Sequence, residues 1–337
     1  MIRMNAEGVY LFRHSLNNTV GVYKSMETIK KGNSAQKSFR NSKLARELPL
    51  HLMLLPTLII VGIFQYGSMA GIVIAFQKFI PTKGLFGSKW VGLKNFQQLF
   101  TIPDTWNVIG NTIYISLFKM ALSIVIPVAF ALLLNEVHQI KMKRSIQTMV
   151  YLPNFLSWVI LAGIFSDILS PSTGIVNHLL SFIGVEPIFF LGTPEWFPIT
   201  MIVTDVWKTF GFTSVIYLAA LTGIDPSLYE AGTVDGANRL QQTWHITLPG
   251  ITSIIVLMSV LSLANVLNGG FEQIYNLYSP AVYSTGDILD TMVYRLGIVE
   301  AQYALSTAAG FFKSIVSLIF IVTSYYMADK FAGYRVF

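Results

Sequence analysis

Long apolar runs separated by short polar stretches dominate the chain from about residue 50 onward. Six of them approach the roughly 20 residues a helix needs to cross a bilayer: 50–75, 108–134, 147–168, 198–223, 251–270 and 305–328. They predict an all-α membrane protein with six transmembrane helices. Pro56 and Pro153 fall inside or at the start of runs, where neighbouring helices satisfy the freed carbonyls, so they predict kinks rather than ends. The first run follows a long polar stretch with no small-residue cleavage site behind it, which predicts an anchor rather than a secretory signal peptide. Outside the runs, "WVGLKNFQQLF" places Trp90, Leu93, Phe96, Leu99 and Phe100 at helical spacing, predicting a short amphipathic helix on the outer surface of the bundle.

Composition agrees with the pattern. Of 337 residues, 53% are hydrophobic and 12% charged, about half the charged fraction of a soluble domain. With no Cys, a disulfide framework, a thiolate metal site and a cysteine nucleophile are all excluded. The net charge of +6 would point to nucleic acid in a soluble protein, but in a membrane protein the position of each charge matters more than the sum, and no nucleic-acid partner is expected. With the N-terminus inside, one face collects Arg3, Arg13, Lys24, Lys30, Lys31, Lys37, Arg40, Lys43, Arg46, Lys141, Lys143, Arg144, Arg239, Lys330 and Arg335. The other receives Lys78, Lys83, Lys89, Lys94 and Arg295. The imbalance predicts cytoplasmic N- and C-termini by the positive-inside rule. Residues 1–46 form a basic N-terminal segment ahead of the six-span domain, 47–337. Within it, "AQKSFRNSKLARE" (35–47) reads as an interfacial helix on anionic lipid headgroups or as a plain basic tail.

On this map the polar interruption "DPSLYEAGTVDGANRLQQTWHITLPG" (225–250) is cytoplasmic, between the fourth and fifth spans. Asp225 or Ser227 can cap a helix, Pro226 suits its first turn, and Ser227 with Glu230 has capping-box spacing. Leu228, Ala231 and Val234 share a face. Asp235-Gly236 supplies a turn, and a second helix from Ala237 aligns Leu240, Trp244 and Leu248 until Pro249-Gly250 stops it before the fifth span. So much order in a loop predicts docking into another surface.

The stretch resembles the EAA loop of binding-protein-dependent ABC transporter permeases. Glu230, Ala231, Asp235, Gly236, Ala237, Trp244, Leu248 and Pro249 match that pattern, with Gly232 in place of its second Ala. "YLPNFLSWVI" (151–160) and "FEQIYNLYSPAVYSTGDILDTMVYR" (271–295) resemble the branch importing oligosaccharides, especially polysaccharide breakdown products. The resemblance implies a bacterial cytoplasmic membrane and a second permease subunit, more often a different chain than a copy. It also implies a cytoplasmic ATPase dimer and an extracellular solute-binding protein. The loop would insert into a groove on the ATPase, with Glu230 as a polar contact and Gly236 permitting the tight turn. Gly232 would weaken the first helix by about 1 kcal/mol. No cofactor is implied for this chain, since ATP and magnesium would be bound by the partner. In agreement, the sequence carries no phosphate-cradling Gly-x-x-x-x-Gly-Lys-Ser/Thr, and "GFFKS" (310–314) lacks its spacing; the chain is not read as an enzyme.

Ionisable groups inside spans point to function: Lys119, Asp205, Lys208 and Lys313. Asp205 and Lys208 share a face of the fourth run, extended by Thr209 and Phe212; Asn265 and Asn268 share one on the fifth, with Ser262 a turn earlier. Sugar binding by Asp205, Lys208, Phe212, Ser262, Asn265 and Asn268 is one reading. The other makes Asp205 and Lys208 a mutually neutralising pair and the asparagines interhelical glue. Lys119 and Lys313 are expected to snorkel to the interface. The 271–304 loop, with Tyr275, Tyr278, Tyr283, Tyr294 and Tyr303, reads as a surface that touches the binding protein or caps the pathway, or as an aromatic belt. An ion-coupled secondary transporter is the alternative function, with Asp205 and Lys208 as an ion relay. The scattered His14, His51, His138, His178 and His245 form no metal motif.

Overall fold

The computed structural model describes residues 43–264 and 266–332. Asn265, the basic segment before Lys43 and residues 333–337 lie outside the described residues. The described chain divides after Ala70 into two compact units.

In the first, α1 (Lys43–Val61) runs into a π-helical turn, Gly62–Gly67, with Pro49 and Pro56 inside α1 and ending nothing. Lys43 to Glu47 form its first turn, so that part of the expected interfacial helix belongs to the long helix instead. Its side chains over residues 47–60 are all exposed, Met53 at 77%. A helix apolar on every side is matched to lipid or to another subunit, not to water.

The second unit opens in a 3-10 stretch ending at Phe76, followed by a two-residue antiparallel ribbon, β1 (Gln77–Lys78) with β2 (Lys89–Trp90), then α2 (Lys94–Thr101) and α3 (Asp104–Asn135). The aromatic helix α2 is more embedded than expected. Leu99 is fully buried, Phe96 meets Phe76 and Phe311, and Phe100 meets Phe312 and Trp106; only Trp90 and Leu93 keep an outward position.

The expected third span is not one straight helix. α4 (Ile140–Tyr151) continues as a 3-10 turn to Phe155, and α5 (Trp158–Ile168) leaves at 106°. Pro153 opens the 3-10 turn, but the break falls at Leu156 and Ser157, both extended, where the Ser157 hydroxyl caps α5 by accepting from the Ile160 amide at 3.3 Å. After α6 (Ile175–Ser181) comes α7 (Phe197–Leu221). Among the described residues four helices are long and apolar enough to cross a membrane, Glu47–Phe76, Asp104–Asn135, Arg239–Leu263 and Tyr303–Tyr326, or five counting the bent pair. The expected fourth span, α7, has the length, 25 residues, but not the apolarity. Thr200, Thr204, Asp205, Lys208, Thr209 and Ser214 dilute it, and one face packs along α3 while Val203, Trp207 and Phe212 stay exposed.

Pro249 does not stop the second helix of the polar loop. α8 (Pro226–Val234) is followed by α9 (Arg239–Gln242), a π-helical turn over Thr243–Thr247 and α10 (Leu248–Ala264) in unbroken succession. The wide turn just before Pro249 alters the i→i−4 ladder in which proline would lack a donor.

The 271–304 segment is also not a surface loop. It holds α11 (Phe271–Leu277), α12 (Leu289–Tyr294) and short turns, before α13 (Tyr303–Ala332). Ile274, Leu277, Val282 and Ile288 join Ile115, Trp158, Phe165, Phe197 and Met201 in one core cluster; Leu289, Met292 and Leu296 join Leu99, Val108 and Leu305 in another. Asp287, 1% exposed, bonds Arg295 Nη2 at 2.6 Å and accepts from the Thr291 hydroxyl. A third cluster, Val128, Ala131, Tyr217, Leu221 and Ile251, ties α3, α7 and α10 at the polar-loop end.

Close approach of α4 to α7 depends on Gly211. A Cβ there would lie 2.4 Å from both Val150 Cγ1 and the Val150 carbonyl oxygen. Gly211→Ala is therefore expected to destabilise by about 1–3 kcal/mol through overpacking, read as a lower melting temperature of the detergent-purified chain. Adding Val150→Ala relieves the side-chain clash alone and should recover only part of the loss; an unchanged melting point for Gly211→Ala would disprove the close packing.

Candidate functional site

A charged and polar cluster sits where α3, α7 and α11 meet. Lys119, 7% exposed, does not snorkel outward: its ammonium donates to the Gly269 carbonyl at 3.0 Å and to Gln273 Oε1, and stands 3.7 Å from Asp205 Oδ1. Gln273, wholly buried, donates in turn to the Met201 carbonyl and the Thr204 hydroxyl, each at 2.8 Å. An unpaired ammonium within a span is costly, and here a carboxylate and two oxygens share it. The bend before α11 admits it. Gly270 has φ +87°, and a Cβ on it would lie 2.9 Å from Lys119 Nζ.

Asp205 is thus paired with Lys119, not with Lys208. Lys208 Nζ lies instead 4.9 Å from the centre of the Trp158 ring, and Phe212, a turn further along α7, meets Phe155 edge-on at 5.9 Å. The structure draws Asp205, Ser262 and Asn268 together with Ser116, Lys119 and Gly270 around a cavity of about 200 Å³. Ser116 Oγ is buried there without a hydrogen-bond partner among the described residues. Lys208 and Phe212 stand apart, one face-turn along α7, and Asn265 lies outside the described residues.

A second cavity, about 620 Å³, shares Asn268 and Gly270 with the first and adds Phe271, Asp290, Tyr294 and Lys313. Lys313, also expected to snorkel, donates to Asp290 Oδ1 at 2.5 Å and to Asn268 Oδ1 at 3.1 Å. Phe271, Tyr275 and Tyr294 pack ring against ring with centroids 4.8–5.5 Å apart. Sequence reasoning missed Gln273, Asp290 and the functional weight of Lys119. The signal available was that an intramembrane lysine needs a partner.

The polar loop is internally rigid. Asp225, not Ser227, caps α8 by accepting from the Ser227 amide at 2.9 Å, and that bond holds its carboxyl below the usual range. The capping box lies on α9: Asn238 Oδ1 accepts from the Gln241 amide and Gln241 Oε1 from the Asn238 amide. Gly236, at φ +80°, makes the left-handed turn between them. A Cβ at Gly232 would come within 3.2 Å of Ile246 Cδ1, so the missing methyl admits close packing as well as lowering helix propensity. Ala237 returns its amide to the Gly232 carbonyl at 2.8 Å, and Tyr229 reaches the Thr247 hydroxyl at 3.0 Å. Arg239 pairs with Glu136 at the end of α3 at 2.5 Å. Yet the apolar faces are unburied within the chain, with Leu228, Val234, Leu240 and Trp244 exposed, Val234 to 88% and Trp244 to 63%. Glu230, Ala231 and Asp235 lie exposed among them. Neither carboxylate makes an ion pair among the described residues.

A polar interior wrapped in apolar helices, with an ordered polar loop at one end, is the build of the membrane-embedded subunit of a transport system. The chain belongs to the family described as the binding-protein-dependent transport system inner membrane component, whose pattern matches residues 123–332, and is a permease subunit of the ABC transporter type. It is 43% identical to the Bacillus subtilis polygalacturonan/rhamnogalacturonan transport system permease protein YteP over 86% of this chain and 90% of that one. To protein LplB of the same organism it is 39% identical, over 86% and 91%. A chain of a bacterial ABC transporter involved in the import of the acidic polysaccharide alginate superposes with a TM-score of 0.79 at 40% identity, covering 86% of this chain and 97% of that one. A bacterial alginate ABC transporter has also been solved in complex with an alginate pentasaccharide-bound periplasmic protein, and a chain of it matches with a TM-score of 0.78 at 40% identity, over 86% and 98%.

Proposed function

We propose that this chain is one of two permease subunits of an ATP-driven importer of oligosaccharides or polysaccharide fragments in a bacterial cytoplasmic membrane. Both termini lie in the cytoplasm, as does the 225–250 loop. That loop docks through Glu230, Ala231, Gly232, Asp235, Gly236 and Ala237 on a separate ATPase, which binds ATP and magnesium. A solute-binding protein delivers substrate from outside. The sugar passes Asp205, Ser262 and Asn268, where carboxylate, hydroxyl and amide groups converge on joined cavities. Such groups bond sugar hydroxyls, and the Phe271–Tyr294 rings present faces on which pyranose rings stack.

One observation carries the reading: a capped, two-helix loop leaves its apolar side chains uncovered among the described residues. A passive linker would be neither so ordered nor so apolar. An ion-driven carrier, the rival, needs no such surface.

The test is purification of the tagged chain from its own membranes, followed by reconstitution. A P-loop ATPase and a second permease should accompany it, and oligosaccharide uptake should require ATP and survive collapse of ion gradients. Isolation without any ATPase, with uptake that follows a proton or sodium gradient, would overturn the proposal in favour of a secondary transporter.

A further inference from the structure

Three lysines lie within the apolar stretches, and two are answered by carboxylates, Lys119 by Asp205 and Lys313 by Asp290. Lys208 is not. Among the described residues no carboxylate lies within 4.0 Å of its ammonium, and its partner is the face of Trp158 at 4.9 Å. A cation over an indole face is attracted by the ring quadrupole, but the charge is not cancelled. Trp158 opens α5, and a helix start carries positive partial charge, so the neighbouring backbone adds no counter-charge.

Position explains why such a lysine is kept. Asp205 and Lys208 are three residues apart on α7, hence on one face, and Asp205 lines the smaller cavity. Lys208 therefore stands one turn beyond that cavity on the same face, followed by Phe212, which is half exposed and set against Phe155. This face passes the 106° break between α4 and α5, where the backbone at Leu156 and Ser157 leaves the helix. Non-helical backbone at membrane depth is tolerated where it lines a cavity or is covered by protein.

From this geometry we infer that Lys208 receives the carboxylate of an acidic sugar, making uronate oligosaccharides the substrate class of the pathway, with the exposed rings of Phe155 and Phe212 as the surface against which the sugar rings lie. The inference rests on the importer reading and names its cargo. A neutral sugar would leave the ammonium unanswered; a uronate supplies the missing charge and strengthens the contact, because ion-paired hydrogen bonds are about twice as strong as neutral ones. Pairing with an acidic residue of the second permease subunit is the competing use of the same charge.

The deciding experiment measures binding to the two permease subunits in lipid nanodiscs, using tetragalacturonate and the same tetramer with its carboxylates reduced to primary alcohols. The unaltered pair should prefer the acidic tetramer by about 10-fold to 100-fold, the range of one charge-assisted contact. Lys208→Met should collapse that ratio toward unity, and Lys208→Arg should restore most of it. No acidic preference in the unaltered pair, or one that survives Lys208→Met, would refute the inference. Loss of the second subunit from the Lys208→Met preparation would assign the charge to the subunit interface and refute it equally. ATP-driven uptake by the full assembly separates the two readings: import of neutral oligosaccharides without acidic preference overturns the cargo alone, and import of neither tetramer by any route overturns the importer as well.

Discussion

Replacing Lys119 with methionine should lower the melting temperature of the chain by about 10 °C and abolish transport. Methionine keeps the length and most of the volume, so packing is nearly preserved and the loss is electrostatic. What remains is Asp205 with no cation, and the Gly269 carbonyl and Gln273 Oε1 each short of a donor, at a site where Lys119 and Gln273 are buried. Breaking one side of a buried pair costs about 3–5 kcal/mol, and a few degrees per kcal/mol is usual for chains of this size. The double variant Lys119→Met with Asp205→Asn removes the stranded charge and should recover at least half of the lost melting temperature. Thermal unfolding in nanodiscs measures the stability, and uptake by the reconstituted assembly measures function. A double variant that regains stability without regaining uptake places these groups on the substrate path as well as in the fold; a single variant melting within a degree or two of the parent would refute the buried pairing.

The same residues show how much the sequence could reveal. On α3 the buried positions, Thr105, Val108, Thr112, Ile115, Ser116 and Lys119, recur at helical spacing, but the helix is apolar on its outer side too. No stripe of hydrophobicity separates inside from outside when the surrounding solvent is lipid. Polarity does separate them, because polar groups cost least when they face one another. By that criterion Lys119 and Asp205 were legible as residues needing partners. Their mutual pairing was not, since Asp205 has Lys208 three positions away in sequence, while the link to Lys119 depends on how α3 lies along α7. The burial of the 271–304 segment was hidden for a related reason. Its tyrosines and carboxylates imitate a surface loop, but Asp287 accepts from both Thr291 and Arg295, which allows its carboxylate to fold into the core. The polar loop was the most legible part, because its caps and its Gly236 turn are local chemistry. Even there, Pro249 was overruled by the π-helical turn before it.

Trp244→Asp is expected to release the ATPase while leaving the chain folded and its partner permease bound, with uptake falling by more than about 100-fold. Trp244 is 63% exposed, four residues on from the exposed Leu240, and it makes no ring contact among the described residues. Its removal therefore costs the isolated chain little. At an interface the same side chain would be a buried anchor, and tryptophan anchors commonly contribute about 2–4 kcal/mol to binding, roughly 30-fold to 1,000-fold in affinity; an aspartate in that place adds an unpaired buried charge. Gly236→Val tests geometry rather than contact. Nothing lies within 4 Å of a Cβ there, so no clash arises, but φ +80° is a conformation that a β-branched residue resists. The turn would reopen and α8 would swing relative to α9. Gly236→Val should thus retain some ATPase yet transport poorly, whereas Glu230→Arg combined with Gly236→Arg should lose it altogether. Copurification from membranes reads the first quantity and uptake the second. If Trp244→Asp keeps both the ATPase and full uptake, the exposed apolar face of the loop is not the dock, and the coupling surface must be sought elsewhere on the chain.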